Sequence, residues 1–202
     1  MDIPSNPRDH FEALYAADAD PWKFKERWYE ARKRALTLAC LPRPRYASAY
    51  EPGCANGELS AALADRCDSL LISDGAAAAV ALARQRVADR PHVAAIEAWV
   101  PDAWPDAHFD LIVISEFVYF LTEAAMDTLA AKAAATLSAG GDLIACHWRR
   151  PIPGCRIDGD AVHERLARAI PLPRVWSLTD PDFRLEIWSA DARTVGQREA
   201  LA

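Results

Sequence analysis

Glu51-Pro52-Gly53-Cys54-Ala55-Asn56-Gly57-Glu58 sets an acid and two glycines between the apolar run 46–50 and a helical pattern over 59–65. Glycine at the end of a strand lets the backbone approach a ligand more closely than any Cβ would allow. A helix that starts there aims its free N–H groups at the same place. Glu51 can accept hydrogen bonds, so the loop suits a ligand that carries an amine or hydroxyls. A dinucleotide loop would read Gly-x-Gly-x-x-Gly, whereas the order here is Glu-x-Gly-x-x-x-Gly. A tight strand-to-helix turn without a ligand is the plainer alternative.

Further candidates stand where other apolar runs end. Asp74 follows the run 69–73 and could accept two hydrogen bonds from a ribose diol, or cap the next helix. Glu97, Ala98 and Trp99 close the run 93–99, where Trp99 offers a stacking face or packs in the core. Ser115 and Glu116 close Phe109–Ser115, and His147, Trp148 and Arg149 close 142–148. His147 rises above an ordinary structural histidine only through its place at a strand end. His10, His92 and His108 fall in loop-like contexts, and His163 falls on a helical pattern.

These residues share one face only if the runs form a parallel sheet. The pattern supports that. Apolar runs alternate with helical segments at 59–66, 76–87 and 123–137, the last closed by Gly140-Gly141 as a glycine cap. Phe109–Ser115 is apolar enough for burial on both faces. Such alternation implies right-handed βαβ units, with ligands at the carboxyl ends of the strands. A helix over 159–170 follows, then runs 174–178 and 183–190 around Thr179-Asp180-Pro181-Asp182, a hairpin that makes the last strands antiparallel. Before the sheet, residues 1–9 read as loose, 9–16 as a short helix capped by Asp9, and 24–40 as a long amphipathic helix. The expected fold is α/β and Rossmann-like, a mostly parallel seven-stranded sheet ending in an antiparallel hairpin. Residues 1–44 form a helical lid segment, and 45–195 form the core of one structural domain.

With 202 residues, 51% of them hydrophobic, the chain can bury one substantial core. A net charge of -6 argues against nucleic acid, although basic residues cluster at 23–34 and 149–156. The five cysteines are odd in number and show no Cys-x-x-Cys spacing, so they read as reduced, buried thiols. The start of the chain is polar, and no apolar run reaches membrane length. A soluble cytoplasmic protein, a monomer or weak homodimer without a membrane partner, is expected. No metal-ligand cluster stands out, so the reaction is expected to be metal-independent.

The loop Glu51–Glu58, taken with Asp74 and the terminal hairpin, resembles class I S-adenosylmethionine-dependent methyltransferases. A narrower resemblance covers roughly residues 10 to 190. Asp20-Pro21-Trp22, Tyr29-Glu30, Lys33, Trp104-Pro105, the sequence from Phe109 to Leu121, His147-Trp148-Arg149 and Gly159-Asp160-Ala161-Val162-His163 are similar to the nodulation protein S-like family. The resemblance implies methyl transfer from S-adenosylmethionine to an amine, typically of a deacetylated amino sugar or chitooligosaccharide. It implies that Glu51, Gly53 and Gly57 cradle the amino-acid end of the cofactor, Asp74 holds the ribose, and Ala98 and Trp99 flank the adenine. Ser115 joins this set, and Trp22, Tyr29 and Lys33 come from the lid. Glu116 and His147 are the candidates for orienting the amine or accepting its proton. Tyr119 and Trp148 would stack on a sugar ring, while Arg149 and His163 would bond it. Two positions depart from the pattern: Asn56 stands where small residues are commoner, and Ala98 replaces a carboxylate near the adenine. Three rival readings remain. They are an O-methyltransferase of a small hydroxylated metabolite, a nucleotide-dependent oxidoreductase, and a non-catalytic S-adenosylmethionine-binding protein.

Overall fold

The computed structural model describes residues 7–201. Of the segment expected to be loose, 1–6 lie outside the described residues. Pro7 already opens α1 (Pro7–Ala17), which moves Asp9 from the expected cap into the first turn. The helix expected over 24–40 is α2 (Trp28–Ala39). Its first turn is lost because the Asp20 carboxylate takes the N–H groups of Phe24 and Lys25 at 2.8 and 3.1 Å, and holds them in a turn instead.

Seven strands follow in the order β3-β2-β1-β4-β5-β7-β6. The elements are β1 (Tyr46–Pro52), α3 (Glu58–Ala64), β2 (Cys67–Asp74), α4 (Ala77–Arg86), β3 (Val93–Glu97) and β4 (Phe109–Ser115). Then come α5 (Glu123–Thr136), β5 (Leu137–Trp148), α6 (Gly159–Ala169), β6 (Arg174–Thr179), β7 (Phe183–Ser189) and the short α7 (Val195–Arg198). β1 through β5 pair in parallel, and β7 enters antiparallel between β5 and β6. This is the mostly parallel sheet with a terminal hairpin that the sequence implied.

Each face of the sheet buries its own apolar layer. β4 shows the alternation: Leu111 and Val113 join the layer under α3 and α4, while Ile112 and Ile114 join the layer under α5 and α6. Thr122 caps α5 by accepting the Ala125 N–H at 3.3 Å, and Asp158 caps α6 by accepting that of Ala161 at 2.9 Å.

One expectation about chain geometry fails. α5 ends at Thr136, and the chain runs straight into β5 at Leu137, so Gly140-Gly141 is no helix cap. Gly140 takes φ +73 inside a bulged stretch, where the register jumps from Phe109 opposite Leu137 to Leu111 opposite Asp142.

The strand order reverses at β1. Its neighbours β2 and β4 carry connections to opposite sides, which opens a crevice at their carboxyl ends. α1, α2 and the turn between them lie over that crevice.

Candidate active site

The crevice is a cleft of about 470 Å³. Its floor comes from strand ends and its roof from the N-terminal helices. Of the residues singled out in the sequence, Trp22, Tyr29, Lys33, Glu51, Gly53, Asp74, Ala98, Trp99, Ser115, Glu116, Tyr119 and Trp148 line it. Gly57, His147, Arg149 and His163 do not.

Glu51 lies in β1, with Oε2 fully enclosed and without a hydrogen-bond partner. Burial pushes its carboxyl up to about 8, against the Ser60 hydroxyl that favours the charged form, and the neighbouring Asp74 adds to the rise. Gly53 takes φ +73 and lies against the Phe117 ring, where a Cβ would come within 2.7 Å of Cδ1. Asp74 ends β2, with one carboxylate oxygen on the Ala55 N–H and the other on the Ala76 N–H, each at 3.0 Å. The carboxylate therefore ties the loop after β1 to the start of α4 and still turns toward the cleft. Burial raises its pKa, opposed by these backbone donors. Ala98 donates its N–H to the Asp74 carbonyl at 2.9 Å. Trp99 lies flat against Gly75, where a Cβ would stand 1.9 Å from Cε3, and the Arg8 guanidinium lies over its ring at 5.2 Å.

The roof is aromatic. Trp22 packs edge-on against Tyr15 at 5.6 Å and lies tilted to Phe24 at 5.7 Å, and Phe11 meets Phe120 at 5.0 Å. Tyr15 and Phe11 were not singled out in the sequence. Their i, i+4 spacing shows a helix face but not what that face covers.

A polar cluster occupies the other end of the cleft. Glu116 has φ +60, a left-handed conformation that is costly for glutamate and common at functional positions. Three donors hold it. Lys33 Nζ lies 2.5 Å from Oε1, and the Tyr119 hydroxyl and the Trp148 N–H reach Oε2 at 2.7 and 2.8 Å. Lys33 also meets Glu30 at 3.1 Å and lies 4.9 Å from the centroid of the Tyr29 ring. Burial works against the lysine charge, but Glu116 leads the neighbours that hold its pKa above the usual range. Glu116 is thus held in place from three sides, with Oε1 on Lys33 and Oε2 on Tyr119 and Trp148. Tyr29 and Trp148 pack edge-on at 5.4 Å and wall this end.

Four of the candidate residues lie outside the cleft lining. Gly57 faces away from the cleft: it heads α3 with φ +81, and a Cβ there would stand 3.0 Å from Ala83 Cα of α4. Its role is helix packing. His147 is completely buried behind the cleft, its Nδ1 3.2 Å from His163 Nε2. His163 Nδ1 in turn lies 2.8 Å from Glu186, and neither histidine lines the cleft. The carboxylate only accepts, which assigns the proton on His163 Nδ1, leaves His163 Nε2 as acceptor and puts the His147 proton on Nδ1. Burial first, and the neighbouring imidazole second, lowers the pKa of His147 well below the ordinary value. Arg149 is held by the Asp160 carboxylate at 2.9 Å and the Asp180 carbonyl at 2.8 Å, outside the lining.

The model of the nodulation protein S (NodS) family matches residues 6–163 of this sequence. The chain belongs to the nodulation protein S family. Nodulation protein S of Rhizobium tropici is 31% identical over 141 residues, which span 67% of this chain and 59% of that protein. The Sinorhizobium fredii protein is 31% identical over 130 residues, or 63% of this chain and 60% of that one. The chain thus spans about three fifths of the length of these curated relatives. Among solved structures, the N-methyltransferase NodS from Bradyrhizobium japonicum WM9, in complex with S-adenosyl-L-homocysteine, superposes with a TM-score of 0.81. It is 25% identical, and the match covers 92% of this chain and 98% of that one. A crystal structure from Pseudomonas syringae is 51% identical, with a TM-score of 0.73 over 81% of this chain and 99% of the other.

Proposed function

We propose that the cleft takes S-adenosylmethionine, and that the chain transfers its methyl group to an amine of a small acceptor in the class of deacetylated amino sugars and their oligomers. Glu51 carries this reading. Its enclosed Oε2 makes no hydrogen bond, although the nearby Ser60 hydroxyl favours its charge, and it stands on the strand end beside Asp74. An ammonium group supplies a donor, and a ribose diol suits Asp74. The S-adenosylhomocysteine complex of the Bradyrhizobium relative supports the same cofactor by likeness.

Bound there, the cofactor supplies an activated methyl on a sulfonium, which leaves the protein a task of positioning. Glu51 and Gly53 hold the amino-acid end, Asp74 the ribose, and Ala98 and Trp99 the adenine. Ser115 and Glu116, which line the same cleft, would face the bound cofactor and the acceptor. Residues 7–44 act as a lid, with Trp22, Tyr29 and Lys33 as its inner surface, and exclude water when closed. Tyr119 and Trp148 offer apolar faces to a sugar ring.

Calorimetric titration with S-adenosylmethionine, S-adenosylhomocysteine and NAD tests the proposal. Saturable binding of the two sulfur nucleotides and none of NAD is expected. Failure to bind either sulfur nucleotide would overturn it.

A further inference from the structure

At the acceptor end of the cleft, one ammonium faces two carboxylates. Lys33 is shared by Glu116 and Glu30, and the Arg34 guanidinium of the same helix also favours the charge of Glu30. Glu116 has two oxygens and receives three donors from three different elements. Three of its roughly four acceptor sites are thereby filled. Glu30 differs. Its oxygens stand 3.1 and 3.4 Å from Lys33 Nζ and accept no other hydrogen bond among the described residues. It lines the cleft from α2 and is almost entirely buried. Beside the lysine, the Tyr29 ring carries a buried hydroxyl that has no partner. A buried carboxylate with spare lone pairs, lining the same cleft as an orphaned hydroxyl, is a receptor for a cationic N–H donor.

We propose that Glu30 receives the ammonium of the acceptor and takes its proton, with the Tyr29 hydroxyl as the second hydrogen-bond partner of that nitrogen. The inference rests on the methyl-transfer reading above and names the catalytic base within it. One N–H bond of the ammonium breaks and an O–H bond forms on Glu30. The freed lone pair on nitrogen then bonds the methyl carbon as the S–C bond breaks, and the electron pair of that bond stays on sulfur. The products are a methylated ammonium, a neutral thioether and a protonated Glu30, which returns its proton to solvent when the cleft opens. Burial holds the Glu30 carboxyl above its ordinary value and so nearer the range a proton acceptor needs.

The test uses the full chain, S-adenosylmethionine as donor and glucosamine and its β-1,4 oligomers as probe amines, with release of S-adenosylhomocysteine as readout. In Glu30→Gln, kcat is expected to fall about 100-fold or more, as loss of a general base does. The acid limb of the rate profile should move up toward the pKa of the amine itself, while S-adenosylhomocysteine binds as in the parent. A kcat within about threefold of the parent with an unmoved acid limb would overturn the proposal, since a missing general base costs far more. If Glu30→Gln loses the fold, Glu30→Asp decides. It keeps the charge beside Lys33 but withdraws the carboxylate by one methylene. A lower kcat at unchanged KM for S-adenosylmethionine supports the role, and an unaltered kcat overturns it. A parent that neither binds the sulfur nucleotides nor methylates any amine overturns both readings. A parent that turns over while Glu30→Gln is indifferent overturns this one alone.

Discussion

Asn56 Nδ2 donates to the Asp20 carboxylate at 3.0 Å and to the Ala19 carbonyl at 3.3 Å. Both partners can only accept, so the orientation of the amide is fixed and Oδ1 turns away from them. The same Asp20 carboxylate shapes the turn that carries Trp22 into α2. The residue that departs from the usual small side chain of the loop therefore ties the loop after β1 to the turn between α1 and α2, and under the proposed function it would latch the lid. Asn56→Asp replaces the donor with a second carboxylate against Asp20. Affinity for S-adenosylhomocysteine should fall about tenfold or more, the scale of a lost hydrogen bond to a charged group. Asn56→Ala should cost less, because it adds no repulsion. Proteolysis in the lid at Lys23, Lys25 or Arg27 should quicken in both variants. Parental affinity in Asn56→Asp, read by calorimetry, would sink the latch.

Glu51 gives the cleft a pH dependence. With its carboxyl at about 8, the free protein holds a proton there at neutral pH. An ammonium ligand prefers the carboxylate, so its binding should release a proton below pH 8 and strengthen as pH rises toward that value. Calorimetry in buffers of differing ionisation enthalpy measures the release. The stability sign is opposite to the usual carboxylate. The folded-state pKa is raised, so the contribution is full below the ordinary value of 4.5 and is lost as pH rises through 8. Glu51→Gln should accordingly be more stable than the parent at about pH 9, where the buried charge is present only in the parent. It should also bind the ligand without proton release. Equal proton release by parent and variant would remove Glu51 from the amine site.

How far the sequence reached depends on the kind of information each position carries. Phe109–Ser115 is legible with its boundaries because an apolar run buried on both faces has few alternatives. The hairpin of β6 and β7 is legible from the turn residues between the runs. Gly140-Gly141 misleads because glycine suits a helix cap and a bulged strand equally. Within the site, strand ends can be read, but not the face. His147 and Trp148 are neighbours at the end of β5, and successive side chains point to opposite sides of a sheet. The sequence cannot say that Trp148 meets the cleft and His147 lies behind it. Tyr15 was missed, and Glu30 was noted only within Tyr29-Glu30 without a role, for a related reason. Helical spacing shows a face, and only the tertiary packing of α1 and α2 decides that those faces roof the cleft.

The buried histidine pair makes the fold acid-sensitive in a defined window. Burial is the largest cause lowering both pKa values from the ordinary 6.5, and for His163 it outweighs the charge of Glu186. The unfolded chain then binds more protons than the folded one below pH 6.5. Stability is full above that pH and is lost as pH falls through the depressed folded-state values. His147→Phe keeps a ring against Tyr119 and His163, which His147 meets at 5.5 and 5.2 Å, and removes one titrating group. Between about pH 7 and pH 5 the thermal midpoint of the parent should fall, and that of His147→Phe should fall less steeply. The window lies above that of ordinary carboxylates, so surface acids contribute little to the difference. The same variant should leave methyl transfer near the parental rate at neutral pH, because His147 stands outside the cleft. Parallel midpoint curves for the two proteins across this range would show that His147 carries a proton in the folded state. A severe loss of turnover at unchanged stability would return it to the chemistry.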